Sequence, residues 1–71
     1  MTQTGIIVHG MTCGHCVSAV TEELRTIPGV QDVQIDLHEG GDSPVVITSE
    51  GDLDPQAVAD AVDEAGYQIV G

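Results

Sequence analysis

Thr4 to His9 alternates, with Ile6 and Val8 on one side and Ile7 and His9 on the other, which is the period-two pattern of a β-strand. Gly10 permits a turn, and the period then changes. From about Gly14 to Thr26, Val17, Val20, Leu24 and Ile27 recur at helical spacing, while Ser18, Thr21, Glu22 and Arg25 occupy the rest of the cylinder. Pro28-Gly29 ends that helix. Val30 to Leu37 alternates again, placing Val33, Ile35 and Leu37 on one face and Gln34 and Asp36 on the other. His38-Glu39-Gly40-Gly41-Asp42 reads as a turn and Val45 to Thr48 as the next strand, so a hairpin is predicted, with Pro44 suited to a strand start or edge. Gly51-Asp52 opens the following connection. The second helix has a well-formed start, with Asp54 as N-cap, Pro55 at the first helical position and Leu53 placed to staple onto Val58. Its buried stripe is Val58, Ala61, Val62 and Ala65. Gly66 suits a left-handed residue after the last turn, and Tyr67 to Val70 gives a final short strand.

The element order is therefore βαββαβ. A ferredoxin-like α+β fold, a four-stranded antiparallel sheet with two helices on one face, is the packed solution for that order. Residues 1–71 make a single domain, without a linker, repeat or low-complexity tract. A chain this short buries only about 60% of the surface it exposes when unfolded. With no Phe or Trp and one Tyr, the core has to be small and aliphatic, and a deep substrate cavity is not expected.

Charge narrows the function. Twelve acids stand against Arg25 alone, for a formal net charge of -11. Phosphate-directed nucleic-acid binding needs a basic surface and is excluded on that ground. The acidity fits either solubility in a salty cytosol or selection of a basic or neutral partner face. No apolar run approaches the roughly 20 residues of a membrane span, and the N-terminus has no signal-like stretch, so a soluble cytoplasmic protein is expected, with no membrane insertion. In a reducing cytosol two cysteines point to metal or redox chemistry more than to a structural bridge.

Those two cysteines are Cys13 and Cys16, in a loop between the first strand and the first helix. With the helix starting near Gly14, Cys13 sits in an exposed loop and Cys16 in the first helical turn. Free backbone N–H groups and the positive helix end then favour thiolate over thiol. Two soft thiolates without a third cysteine suit Cu(I), which accepts low coordination, whereas structural zinc takes four protein ligands and catalytic zinc commonly three. A carboxylate before the first cysteine would offer a hard third ligand, but that position is Thr12. Gly10 and Gly14 are read as shaping the loop. Met11 reads as core, because methionine fills irregular gaps well. His15 has three readings: it tunes the thiolates, it donates to a copper shared between two molecules, or it is simply an exposed histidine at a helix start. His9 reads as an outward strand residue and His38 as a turn residue.

Gly10-Met11-Thr12-Cys13-Gly14-His15-Cys16 after an apolar strand, Pro28-Gly29-Val30 after the helix and Glu64-Ala65-Gly66-Tyr67 near the end resemble the heavy-metal-associated domain, nearly end to end. Within that family the stand-alone length, His15 and Tyr67 are most similar to bacterial and archaeal copper chaperones of the CopZ type. The resemblance implies a non-enzymatic carrier. Cu(I) would be held on Cys13 and Cys16 and passed by ligand exchange to the metal-binding domain of a copper-transporting P-type ATPase. It further implies Met11 as a buried tether beneath the loop, and Tyr67 close to the metal without binding it; plain end-of-core packing is the alternative for Tyr67. Two exposed loops meeting around copper would give a copper-bridged homodimer. The acidic surface departs from family members that present lysines around the metal loop.

Three rival readings stand beside this one. Cys-Gly-His-Cys is also the tetrapeptide of disulfide isomerases, but here Thr12 precedes it, Val17 follows it and the chain has no Trp. The same fold would equally serve a copper buffer, or a mercury or zinc carrier, since mercury also prefers two thiolates. A module cut from a longer ATPase would share every motif, although the span from Met1 to Gly71 without a linker favours an independent protein.

Overall fold

In the computed structural model, which describes residues 1–70, the chain forms β1 (Thr2–His9), α1 (Gly14–Arg25), β2 (Val30–Ile35), β3 (Asp42–Ser49), α2 (Pro55–Glu64) and β4 (Gln68–Ile69). The strands make one antiparallel sheet in the order β2-β3-β1-β4. β1 and β3 are its centre and pair along their whole length, from Thr2 opposite Ser49 to His9 opposite Asp42. Alternation decides which face is covered. Val8, Val45 and Ile47 point to the helices and are buried with Val20 and Leu24 of α1 and Val58, Ala61 and Val62 of α2. Ile7, His9 and Val46 fall on the open face. The result is the ferredoxin-like α+β architecture, with both helices contributing to one core beneath one face of the sheet.

The strands differ from their hydropathy patterns at the ends, for identifiable reasons. β1 starts at Thr2 rather than Thr4, because Thr2 and Gln3 pair with Ser49 and Thr48 although neither is apolar. β3 runs beyond Val45 to Thr48 in both directions, and Pro44 lies within this central strand instead of at a start or edge. The ladder explains why that is tolerated. Pro44 accepts the Asp36 N–H at 3.0 Å on its β2 side but has no N–H to return, so β2 ends at Ile35 and not at Leu37. On its other side Pro44 stands opposite Ile7. β4 begins at Gln68 because the Tyr67 N–H is already used, bonded to the Val62 carbonyl at 3.1 Å. Together with Gly66 N–H on the Asp63 carbonyl at 2.9 Å, and Gly66 at φ 92°, this closes α2 in a Schellman motif.

The other end of α2 is capped as its sequence predicts: the Asp54 carboxylate accepts the Gln56 N–H at 3.0 Å and Pro55 stands at the first turn. Two buried serines tie down the ends of β3. Ser43 Oγ accepts the His38 N–H at 3.0 Å, and Ser49 donates to the Gly51 carbonyl at 2.6 Å. Among the described residues no buried side-chain nitrogen or oxygen lacks a partner.

Ile47 sits at the middle of β3 with none of its surface exposed. Ile47→Ala is expected to lower the unfolding free energy by about 2–5 kcal/mol, read from the midpoint of urea denaturation. A loss well below that range would mean that the core collapses around the cavity.

Candidate metal centre

The loop between β1 and α1 is bent by Gly10, whose φ of 97° is strained for any side chain, and an added Cβ there would also meet the Tyr67 ring at 3.7 Å. Met11 follows, fully buried in the core. Two backbone bonds tie this stretch to the β2–β3 turn. Gly40 N–H donates to the Met11 carbonyl at 2.9 Å, and Gly10 N–H donates to the Gly41 carbonyl at 3.3 Å. The chain then rises to the surface, where Thr12 and Cys13 are exposed. Cys13 is the N-cap of α1 in an extended conformation, φ −159° and ψ 177°, and its carbonyl accepts the N–H groups of Cys16 and Val17. Its side chain caps nothing and is left free.

Cys16, half-buried in the first turn, brings its sulfur to 3.6 Å from that of Cys13. Both are free thiols, well beyond the roughly 2.05 Å of a disulfide. Thr12 Oγ1 lies 3.7 Å from the Cys16 sulfur. The Cys16 thiol is lowered from 9.0 to about 6, first by the Tyr67 hydroxyl, then by the backbone and hydroxyl of Thr12 and the backbone of Cys13, against a smaller upward push from desolvation. Tyr67 is correspondingly raised, first by its interaction with that sulfur, then by desolvation and by the charge of the two cysteines. Stabilising the anion, and not helix polarity alone, therefore activates Cys16.

The remaining candidates fall into two groups. Tyr67 is brought to the sulfurs by the Schellman turn that ends α2. His15 is exposed in the first turn of α1, and no set of three or more His, Cys, Asp or Glu suited to a metal occurs among the described residues. Gly14 opens α1 without a positive φ and with open space where a Cβ would stand, so its backbone makes no demand for glycine. His9 and His38 lie outside the loop, paired with Asp42 at 2.8 Å and Asp36 at 3.3 Å. Thr12, read from the sequence only as the lack of a carboxylate, is the further side chain beside the Cys16 sulfur. The signal for it is its position immediately before the N-cap, from which a hydroxyl reaches forward to the first helical turn.

Chemically, this arrangement offers two soft donors, Cys13 exposed at the surface and Cys16 half-buried with its thiol lowered to about 6. Such a donor pair suits a soft ion of low coordination and is too small to close a structural zinc site.

The heavy-metal-associated domain family matches residues 6–68. The copper chaperone CopZ of Staphylococcus aureus is 36% identical over 70 residues, covering 99% of this chain and all of that protein. Among solved structures, a CopZ metallochaperone superposes with a TM-score of 0.83 at 33% identity over 97% of this chain and 100% of its own. The N-terminal domain of the copper(I) ATPase PacS does so with a TM-score of 0.70 at 29% identity, over 96% of this chain and 89% of that one.

A pH titration of the reduced, metal-free protein by thiolate absorbance should show Cys16 ionising at about pH 6. Tyr67→Phe should move that step upward, and Thr12→Val should move it in the same direction by less. An unchanged midpoint in Tyr67→Phe would show that the hydroxyl does not stabilise the thiolate.

Proposed function

The chain belongs to the heavy-metal-associated domain family, and from that membership we propose that it is a copper chaperone, holding Cu(I) between the Cys13 and Cys16 sulfurs and releasing it by ligand exchange. The observation that carries this reading is the pair of free thiols 3.6 Å apart on an exposed loop, one of them ionised at neutral pH. Two thiolates satisfy an ion content with low coordination, while Zn(II) would be left short of ligands. The relatives named as CopZ support the carrier role, and the likeness to a copper(I) ATPase domain supports the recipient, the metal-binding domain of a copper-transporting P-type ATPase.

Transfer then follows from exposure. A thiolate of the recipient adds to the two-coordinate ion before either donor bond breaks, giving a shared three-sulfur species. One sulfur of this chain leaves, a second recipient sulfur takes its place, and the last bond to this chain breaks. Copper stays Cu(I) throughout, and no substrate bond is made or cleaved, so the protein is a trafficking protein and not an enzyme. His15 and Tyr67 modulate the sulfurs from beside the ion, and Met11 holds the loop. No helix among the described residues is long and apolar enough to cross a membrane. On this reading the carrier works in the cytoplasm, where the thiols stay reduced. The exposure of the loop also allows two loops to meet around copper in a bridged homodimer, held apart at low salt by the charge of -11 on each chain.

The test is an anaerobic competition titration of the reduced protein with Cu(I), and separately with Zn(II), against chelators of known affinity. Tight Cu(I) binding, weak Zn(II) binding and loss of both in Cys13→Ser/Cys16→Ser are expected. A preference for zinc would redirect the assignment to divalent-metal export, and binding of neither metal would remove the carrier reading. Because proton and metal compete for Cys16, Cu(I) affinity should fall steadily as pH drops through about 6.

A further inference from the structure

α1 and α2 do not close against each other completely. Where the end of α1 and residues 26–28 meet α2 lies a shallow, open groove of about 340 Å³, with Ile27, Pro28, Ala57 and Ala61 as its apolar lining. Its walls are acidic on both sides: Glu23 on α1, and Asp60 and Glu64, four residues apart, on α2. Among the described residues none of the three carboxylates has a cationic partner, since the ion pairs there are His9 with Asp42 and His38 with Asp36. Arg25, the only Lys or Arg of the chain, points instead to the Gln31 carbonyl at 3.5 Å. Asp60 is held by the Gln56 amide at 2.8 Å, which fixes the carboxylate without neutralising it.

We propose that this groove is a docking site for a basic amphipathic helix of a partner protein, an apolar side chain seated between Ile27 and Ala61 and Lys or Arg residues reaching the carboxylates on both walls. Charge complementarity selects that occupant. Like charges facing each other across an apolar floor repel, and a cationic partner removes that repulsion while covering the floor. A helix with an apolar stripe flanked by Lys or Arg presents both features at once, because the long alkyl stems pack on apolar surface while the charged heads reach outward. A second copy of this chain does not fit, since it would bring further acidic charge and one arginine. An anionic membrane surface is disfavoured on the same ground.

The position adds a consequence. Glu23 lies seven residues beyond Cys16 on α1, about 10 Å along the helix axis, and neither sulfur lines the groove. A partner seated there covers no residue of the thiol loop and leaves Cys13 open. The groove thus supplies an attachment point separate from the metal, which raises the effective concentration of any thiol the partner carries.

The experiment uses the reduced, metal-free protein, so its outcome does not depend on the copper-carrier reading. The ligand is a short synthetic helix with a leucine stripe flanked by lysines, followed by amide chemical shifts at low salt, with the same helix bearing glutamates as control. Shifts centred on residues 23–28 and 57–64 with the lysine helix, absent with the glutamate helix, are expected. The combined variant Glu23→Gln/Asp60→Asn/Glu64→Gln should weaken binding about tenfold, because it removes three carboxylates that pair with lysines of the helix. A variant of equal charge change outside the groove, Glu39→Gln/Glu50→Gln/Asp52→Asn, should retain most of the affinity. Equal weakening by both variants, shifts centred elsewhere, or no binding at low salt would each overturn the proposal.

Discussion

The burial of Met11 is the constraint on which the site depends. Thr12 and Cys13 stand exposed at the surface, and Met11, one residue before them, has none of its area accessible. Burying such a side chain is worth about 1.5–3 kcal/mol, a large share of what fixes a short loop in a domain this small. An exposed thiol loop without that anchor would sample many conformations, and the sulfurs would lose their separation of 3.6 Å. With it, the order of the core extends to within two residues of Cys13. The entropy of arranging the donors is then met at folding and not at each binding event.

The anchor is itself braced by the sheet. Pro44 denies β2 its last ladder bond, so the chain leaves the sheet after Ile35 and is free to curl through 38–41. Ser43, buried next to that proline, catches the His38 N–H and sets the path of the curl. Gly40, at φ 71°, then turns its N–H onto the Met11 carbonyl. A proline in a central strand, which looks like a fault of the ladder, thereby delivers the turn that holds the thiol loop. From the opposite side, the Schellman closure of α2 commits the Tyr67 N–H to the helix and sends its ring against the Gly10 bend and its hydroxyl toward Cys16.

What is legible in the sequence follows the range of the interactions. The stripe of Val20 and Leu24, the alternation through β2 and β3, and the Asp54-Pro55 helix start are local signals, and each places its element. The thiol pair is legible because three residues of spacing put both sulfurs at one helix start. The Pro44 effect is not legible, because its consequence appears in β2, a different strand. Nor is the tie from Gly40 to Met11, which joins residues 29 apart, or the contribution of Thr12, which depends on the rotamer of one side chain. The sequence pattern points to the helix end as the activator of the cysteines. The larger influence on Cys16 comes from Tyr67, 51 positions away.

The two sulfurs are not equivalent, and on the proposed reading that difference orders the transfer. Cys13 is exposed, caps nothing and has no hydroxyl beside it apart from its neighbour's reach to Cys16. Cys16 is half-buried, and its negative charge is stabilised by Tyr67 and Thr12. A sulfur whose anion is stabilised is a weaker donor but a better leaving group, whereas the exposed one is the first that an incoming thiolate meets. On that reading the recipient approaches from the exposed Cys13 side, and Cys16 departs with its charge stabilised. Tyr67 and Thr12 would then lower the barrier to release without touching the ion, and a two-donor site open on the Cys13 side would exchange its cargo quickly.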